Sequence, residues 1–140
     1  MSGETTYFGT VYPAECDHMG HLNVAHYVAK FDAASWNFFF NFGVTRETMD
    51  GGNYAVAAVE QKIAYKRELM PGDVIEVRSR MLEVQEKAIR FIHEMIHRES
   101  GQIAATSEYV TVCLDRTQRK ARPYPEAVLA LARSLIANQK

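Results

Sequence analysis

Residues 24–42 constrain this chain more than any other segment, because they contain neither glycine nor proline, favour a long helix and are apolar over most of its circumference. At 100° per residue, His26, Lys30, Asn37 and Asn41 fall in one narrow polar stripe. Tyr27, Phe31, Ala34, Trp36, Phe38 and Phe42 spread over the remaining arc, so the helix is expected to be buried on most sides. Asp32 and Ser35 lie on the apolar arc and need hydrogen-bond partners there, or a position at a subunit boundary. Asn23 is placed to cap the helix, and Gly43 to end it, since glycine takes the left-handed C′ conformation without steric cost. Lys30, Asp32, Asn37 and Asn41 make the stretch too polar and too short to span a membrane.

A buried helix needs a second layer, and the remaining sequence supplies strands. Residues 7–15 are rich in β-branched and aromatic side chains and read as a first strand stopping near Pro13, followed by a loop to Asn23. After a short polar segment with Gly51-Gly52, residues 54–65, 74–84, 88–98 and 103–115 are strand candidates rich in Val, Ile, Tyr and Thr. Their connections, around Pro71-Gly72-Asp73, Gln85-Glu86-Lys87 and Ser100-Gly101-Gln102, are short enough to make neighbours antiparallel. Residues 125–138 read as a closing helix with proline at its first turn. The order predicts an α+β fold in which one antiparallel sheet curls around the central helix. Such a sheet keeps an exposed face and an edge, for which dimerisation is a physical remedy.

With 16 basic and 17 acidic side chains, the formal charge is -1. No global field then holds the protein on nucleic acid or an anionic membrane, so an anionic ligand needs a local basic pocket. The N-terminal residues carry no secretory pattern and the only cysteines are Cys16 and Cys113, which together predict a cytoplasmic protein with reduced thiols. No repeat or linker divides residues 1–140, which are read as one domain.

Reactive side chains concentrate in Glu15-Cys16-Asp17-His18-Met19-Gly20-His21-Leu22-Asn23, just ahead of the long helix. A helix N-terminus presents unpaired N–H groups and a positive dipole end, which can polarise a carbonyl oxygen as charge develops on it. Asp17 can act on the carbon of that carbonyl, as a general base on water or as a nucleophile giving an anhydride. Gly20 allows close approach of the backbone to a ligand. An isolated Asp before a helix is more often a turn or cap residue, but here several polar groups converge. Cys16, Asp17, His18, His21 and His26 also carry metal-donor atoms, yet their spacings match no zinc pattern, and no metal is expected.

The run Asp17-His18-Met19-Gly20-His21-Leu22-Asn23, followed by Tyr27 and Phe31-Asp32, resembles the signature of the 4-hydroxybenzoyl-CoA thioesterase type of hot-dog proteins. Tyr65 to Val74, with its Pro-Gly-Asp turn, is similar to the family's strand ending, and residues 104–120 resemble its closing strand and basic turn. The resemblance covers roughly residues 7–130 and implies hydrolysis of an acyl-CoA thioester to acid and CoA without metal or organic cofactor. It implies Asp17 as the catalytic carboxylate, with Gly20, His21 and Asn23 shaping the loop and His21 touching substrate or fixing Asp17. Backbone N–H groups from Val24 to Tyr27 would hold the thioester oxygen. A homodimer or homotetramer with interfacial active sites is implied too. Some relatives use a cysteine or a helix glutamate instead, which makes Cys16 a rival; neighbours in an extended segment face opposite ways, and the spacing to Gly20 and His21 favours Asp17.

Arg67, Arg116, Arg119 and Lys120 are candidates for CoA phosphates, with solvated surface charge as the alternative. Glu60 shares a strand face with Val56 and Ala58, which places it near a substrate pocket or at a sheet margin. His93 and His97 share a face with Phe91 and Met95 and are expected to face solvent or an interface rather than to be catalytic. Two rival functions remain. A hot-dog dehydratase wants a histidine working with a helix acid, and His26 with Asp32 at a spacing of six is a poor match. A non-catalytic acyl-CoA binding or sensing domain is the other.

Overall fold

A computed structural model describes residues 3–139. In chain order it contains β1 (Glu4–Thr10), a 3-10 turn (Pro13–Glu15), α1 (Val24–Asn41), α2 (Arg46–Gly52), β2 (Tyr54–Tyr65), β3 (Val74–Val84), β4 (Ala88–His97), β5 (Ile103–Asp115) and α3 (Glu126–Asn138). The strands form one antiparallel sheet in the order β1-β3-β4-β5-β2. Alternate residues of β3, β4 and β5, among them Ile75, Val77, Phe91, Met95 and Tyr109, are buried with Phe31, Ala34 and Phe38 of α1. The outward positions carry Arg78, Arg90 and Glu108, the period-2 pattern of a sheet with one core face. All four strand pairings contain a register shift, and such bulges bend strands and increase twist, which lets the sheet curl around α1. This is the α+β hot-dog arrangement.

Three local expectations change. The first strand lies at Glu4–Thr10 rather than 7–15, because the chain turns out of the sheet before Pro13, which opens the 3-10 turn. The polar segment before β2 is a short helix, α2, capped by Thr45, whose hydroxyl accepts from Thr48 N–H. Helix α1 is buried on one side only, since the sheet covers one side: Val24, Val28, Trp36 and Phe40 are exposed, as is Asp32. Lys30, placed in the polar stripe by sequence, is instead buried against Glu15. Gly43 has φ +91°, as a C′ glycine should.

His93 and His97 are buried, not solvent-facing. His93 shares the helix-facing side of β4 with Phe91 and Met95, and the ring stacks on Phe31 of α1. Its Nε2 lies 2.8 Å from Ser35 Oγ, and its Nδ1 lies 2.6 Å from Ser79 Oγ, which in turn is 2.7 Å from Thr6 Oγ1. Ser35 donates its own hydrogen to Phe31 O, so it accepts from His93 Nε2–H, and Ser79 donates to Nδ1. This also answers the demand of Ser35 for a partner on the apolar arc. A buried histidine was unexpected because polarity alone argues for solvent, whereas both ring nitrogens are satisfied here.

Burial pushes the pKa of His93 down to about 3. Below the unfolded value near 6.5 the unfolded chain binds a proton that the folded protein refuses, so stability from this group falls as the pH drops from about 6.5 towards 3. Urea unfolding of wild type and His93→Gln at pH 7, 6 and 5 should show the wild-type advantage shrinking by up to about 1.4 kcal/mol per pH unit below pH 6. A pH-independent difference contradicts the assignment.

Candidate active site

The loop from Glu15 to Asn23 closes on itself through backbone pairs. Asp17 N–H donates to His21 O at 3.2 Å, Asn23 N–H donates to Glu15 O at 3.0 Å, and Cys16 and Leu22 form an isolated bridge. At its tip Gly20 N–H reaches Asp17 O at 2.9 Å, with Gly20 at φ +86°. That positive φ favours glycine, and a Cβ there would meet no protein atom within 4 Å, which leaves the space beside Gly20 open. Two anchors hold the loop to the rest of the fold. Leu22 N–H donates to Leu69 O at 2.8 Å, and buried Lys30 of α1 places its Nζ 3.0 and 3.2 Å from the Glu15 carboxylate oxygens.

Within this frame the Asp17 carboxylate has fixed partners. Asn23 Nδ2 donates to its Oδ2 at 3.0 Å and Met19 N–H donates to its Oδ1 at 2.9 Å. These two bonds, led by Asn23 and helped by His21 and His18, hold the Asp17 carboxyl below the usual aspartate range, so it is ionised at neutral pH. Asn23 uses its other end to cap α1, its Oδ1 accepting from Ala25 N–H at 3.0 Å. One side chain therefore ties the carboxylate to the helix N-terminus. Cys16 differs: burial, then the charges of Asp17 and Glu15, pushes its thiol up and away from the thiolate form.

Beside the loop is a cleft of about 320 Å³ lined by His21, Leu22, Val24 and Tyr27 on one side and by residues 65–68 on the other. Val24 is the first residue of α1, and its N–H has no acceptor among the described residues. Tyr27 is buried against Tyr65 with rings edge to face at 5.1 Å, and its pKa is pushed up to about 12 by burial, then by Tyr65 and Glu68. Its hydroxyl forms no hydrogen bond among the described residues. His21 Nε2 is 3.7 Å from Glu68 Oε1. Asp17 does not line the cleft itself but joins it through His21 and Asn23.

Of the predicted residues, His21, Val24, Tyr27 and Arg67 line the cleft, Asp17, Gly20 and Asn23 stand in the loop beside it, and Glu60, Arg116, Arg119 and Lys120 lie elsewhere. Glu60 is exposed on β2, an edge strand, at a register shift that breaks the alternation, and it lines a separate pocket with Lys62, Arg90, Glu108 and Val110 rather than the cleft at Val24. Arg116 pairs with Asp50 at 2.8 Å beyond the other end of β2 from Tyr65, about 35 Å away at roughly 3.3 Å per residue. His26 approaches Glu15 at 3.9 Å rather than Asp32, so the pairing that a dehydratase wants is absent. Tyr65, Lys66 and Glu68 were not singled out from sequence. Their signal was position, at a strand end just before a Pro-Gly-Asp turn. Among the described residues no three His, Cys, Asp or Glu side chains group to hold a metal ion.

Residues 11–131 match the model of the thioesterase-like superfamily. Betainyl-CoA thioesterase of Pseudomonas aeruginosa is 27% identical over 131 residues, covering 94% of this chain and 82% of that protein. A Staphylococcus aureus protein in complex with CoA superposes with a TM-score of 0.92 at 22% identity, over 100% of this chain and 89% of the other. A 1,4-dihydroxy-2-naphthoyl-CoA thioesterase from Synechocystis gives 0.82 at 20% identity, over 94% and 96%. At those identities the structural likeness is one of fold.

The double role of Asn23 is testable without any substrate. Asn23→Ser keeps an oxygen for the helix cap but removes the amide donor to Asp17. Carboxyl-carbon NMR titration should place the Asp17 midpoint below the ordinary aspartate value in the wild type and move it to higher pH in Asn23→Ser. An unmoved midpoint would show that Asn23 does not hold the carboxylate.

Proposed function

This chain belongs to the thioesterase-like superfamily and is a thioesterase of CoA esters, and we propose that Asp17 performs the hydrolysis with the N-terminus of α1 as oxyanion site. The observation that carries this reading is the coupling through Asn23 of an ionised carboxylate to a helix end with a free N–H. The thioester carbonyl oxygen accepts from Val24 N–H, and the helix dipole stabilises the negative charge that grows there as the carbonyl carbon is attacked. The attacking oxygen comes from water deprotonated by Asp17, or from Asp17 itself with water then cleaving the anhydride. Either route consumes one water, breaks the C–S bond and yields the acid and CoA thiol. A carboxylate ionised at neutral pH suits both.

Tyr27 turns its hydroxyl to the cleft as a donor for the substrate, and His21, held near Glu68, closes the loop side. Asp17, His18 and the exposed Met19 need a cover that the single chain does not supply. We assign it to a second copy. The support is an edge strand of 12 residues with Val59 60% exposed, and the exposed apolar row Val24, Val28, Trp36 and Phe40 on α1. Glu60 on that edge then belongs to the interface rather than to its own cleft. Among the described residues no helix is long and apolar enough to cross a membrane. The reading places the enzyme in the cytoplasm, where CoA esters are available.

Thiol release from a panel of short, medium, long and aromatic acyl-CoAs tests the chemistry. Asp17→Asn should lower turnover by roughly 10²- to 10⁴-fold, while Cys16→Ala stays near wild type. Full activity in Asp17→Asn, or a dead Cys16→Ala, moves the assignment. Light scattering should report two or four times the 15.9 kDa chain mass, and a monomer would refute the shared site.

A further inference from the structure

Arg67 lines the cleft and, like most arginines of this chain, forms no ion pair among the described residues. Its Nη1 donates to Ser100 Oγ at 3.0 Å and to Gln102 Oε1, both on the turn between β4 and β5. Both acceptors are neutral, so the guanidinium is held without being neutralised. One nitrogen is thereby used, while Nε and Nη2 have no partner among the described residues. Those two form the side-on fork that matches two oxygens of a phosphate.

The acceptors are themselves fixed. Ser100 N–H donates to His97 Nδ1 at 3.2 Å, so Nδ1 is an acceptor and the Ser100 hydroxyl hydrogen also points to it, at 2.7 Å. The ring proton then lies on Nε2, 3.2 Å from Asp73 Oδ1, while Asp73 Oδ2 accepts from Met70 N–H at 2.8 Å. With its hydrogen committed to buried His97, Ser100 can present only lone pairs to Arg67. Asp73 is bonded to His97 and Met70 and forms no ion pair with Arg67, although the charge of Arg67 helps to keep it ionised.

We propose that Ser100 and Gln102, backed by the buried His97–Asp73 pair, are positioning residues that hold Arg67 as a preorganised clamp for a phosphate of CoA. The proposal rests on the CoA-thioesterase reading above and deepens it by assigning how the nucleotide end is selected. Anchoring one guanidinium nitrogen removes rotamer freedom before binding rather than during it. Exposed Lys66, next in sequence and on the same cleft, adds a second cation without a carboxylate partner.

The test compares each acyl-CoA with the matching acyl-pantetheine, which has the same thioester and no phosphate. Arg67→Met should raise KM for acyl-CoA roughly tenfold or more and leave acyl-pantetheine unchanged. The double variant Ser100→Ala with Gln102→Ala should raise KM for acyl-CoA by a smaller factor, with kcat and the acyl-pantetheine constants retained. Equal effects of the double variant on both substrates would mean that the turn only supports the fold, and no effect on either would mean that Arg67 needs no anchor; each overturns the proposal. Calorimetric binding of CoA and of pantetheine to the same proteins gives the parallel readout. If the wild type binds CoA but cleaves no thioester, the thioesterase reading fails, and the phosphate clamp is still judged by the CoA and pantetheine affinities.

Discussion

Everything functional in this molecule depends on how α1 is seated in the concave face of the sheet. Phe31, Ala34 and Phe38 are fully buried, and each buried phenylalanine contributes about 1.5–3 kcal/mol of hydrophobic stabilisation. Apolar packing alone does not fix rotation about the helix axis. Polar partners on three sides do: Ser35 meets His93, Asn37 donates to Thr6 O at 2.6 Å, and Lys30 meets Glu15. Rotating the helix by one residue would break all three at once, and an uncompensated buried lysine or histidine is costly. The core therefore sets the direction in which the first N–H groups of α1 point.

The Glu15–Lys30 pair extends this control from helix to loop. Glu15 also accepts from Tyr12 N–H through its carboxylate and from Asn23 N–H through its carbonyl. Burial opposes its ionised form, but Tyr12 N–H and Lys30 outweigh that and hold its pKa below the ordinary range. The pair is buried mainly on the lysine side, so its value lies in geometry as much as energy: it sets where the Asp17 loop begins, while Asn23 sets where it ends. Between those two points Gly20 turns the chain back. A short polar loop of this kind is usually mobile, and here its two ends are fastened to one helix.

Most of the order of elements was legible because β3, β4 and β5 keep their period, short polar turns part them, and α1 stood out by length. The loop was legible because Asp17, Gly20, His21 and Asn23 are local in sequence. What depended on distant pairing was not. His93 and His97 look exposed until Ser35, Ser79, Asp73 and Ser100 are brought beside them by the β3–β4–β5 hairpins. Trp36 and Phe40 look buried until the sheet proves to cover only one side of the helix. Arg67 was legible as a cation but not as an unpaired one, because pairing is a property of neighbours. Glu60 followed the strand alternation on paper, and the bulge beside it broke that pattern.

Charge placement explains how a protein with a formal charge of -1 can receive a polyanion. Some of its cations are consumed locally: Lys30 pairs with Glu15, Arg90 lies between Glu83 and Glu108, Arg78 against Glu76, and Arg116 against Asp50. At the cleft Lys66 and Arg67 form no ion pair among the described residues, and Asp73, whose carboxylate feels the charge of Arg67, is bonded to His97. Burial opposes ionisation of Asp73, but Met70 N–H, His97 and the charge of Arg67 outweigh it and hold its pKa below the ordinary range. One side of the cleft carries Lys66, Arg67 and Glu68, and the other carries His21 and the first residue of α1, Val24. On the proposed reading the anionic tail of a CoA ester meets Lys66 and Arg67, and its carbonyl end meets the start of α1. In the proposed mechanism the carbonyl then lies at Val24 with the scissile carbon towards Asp17.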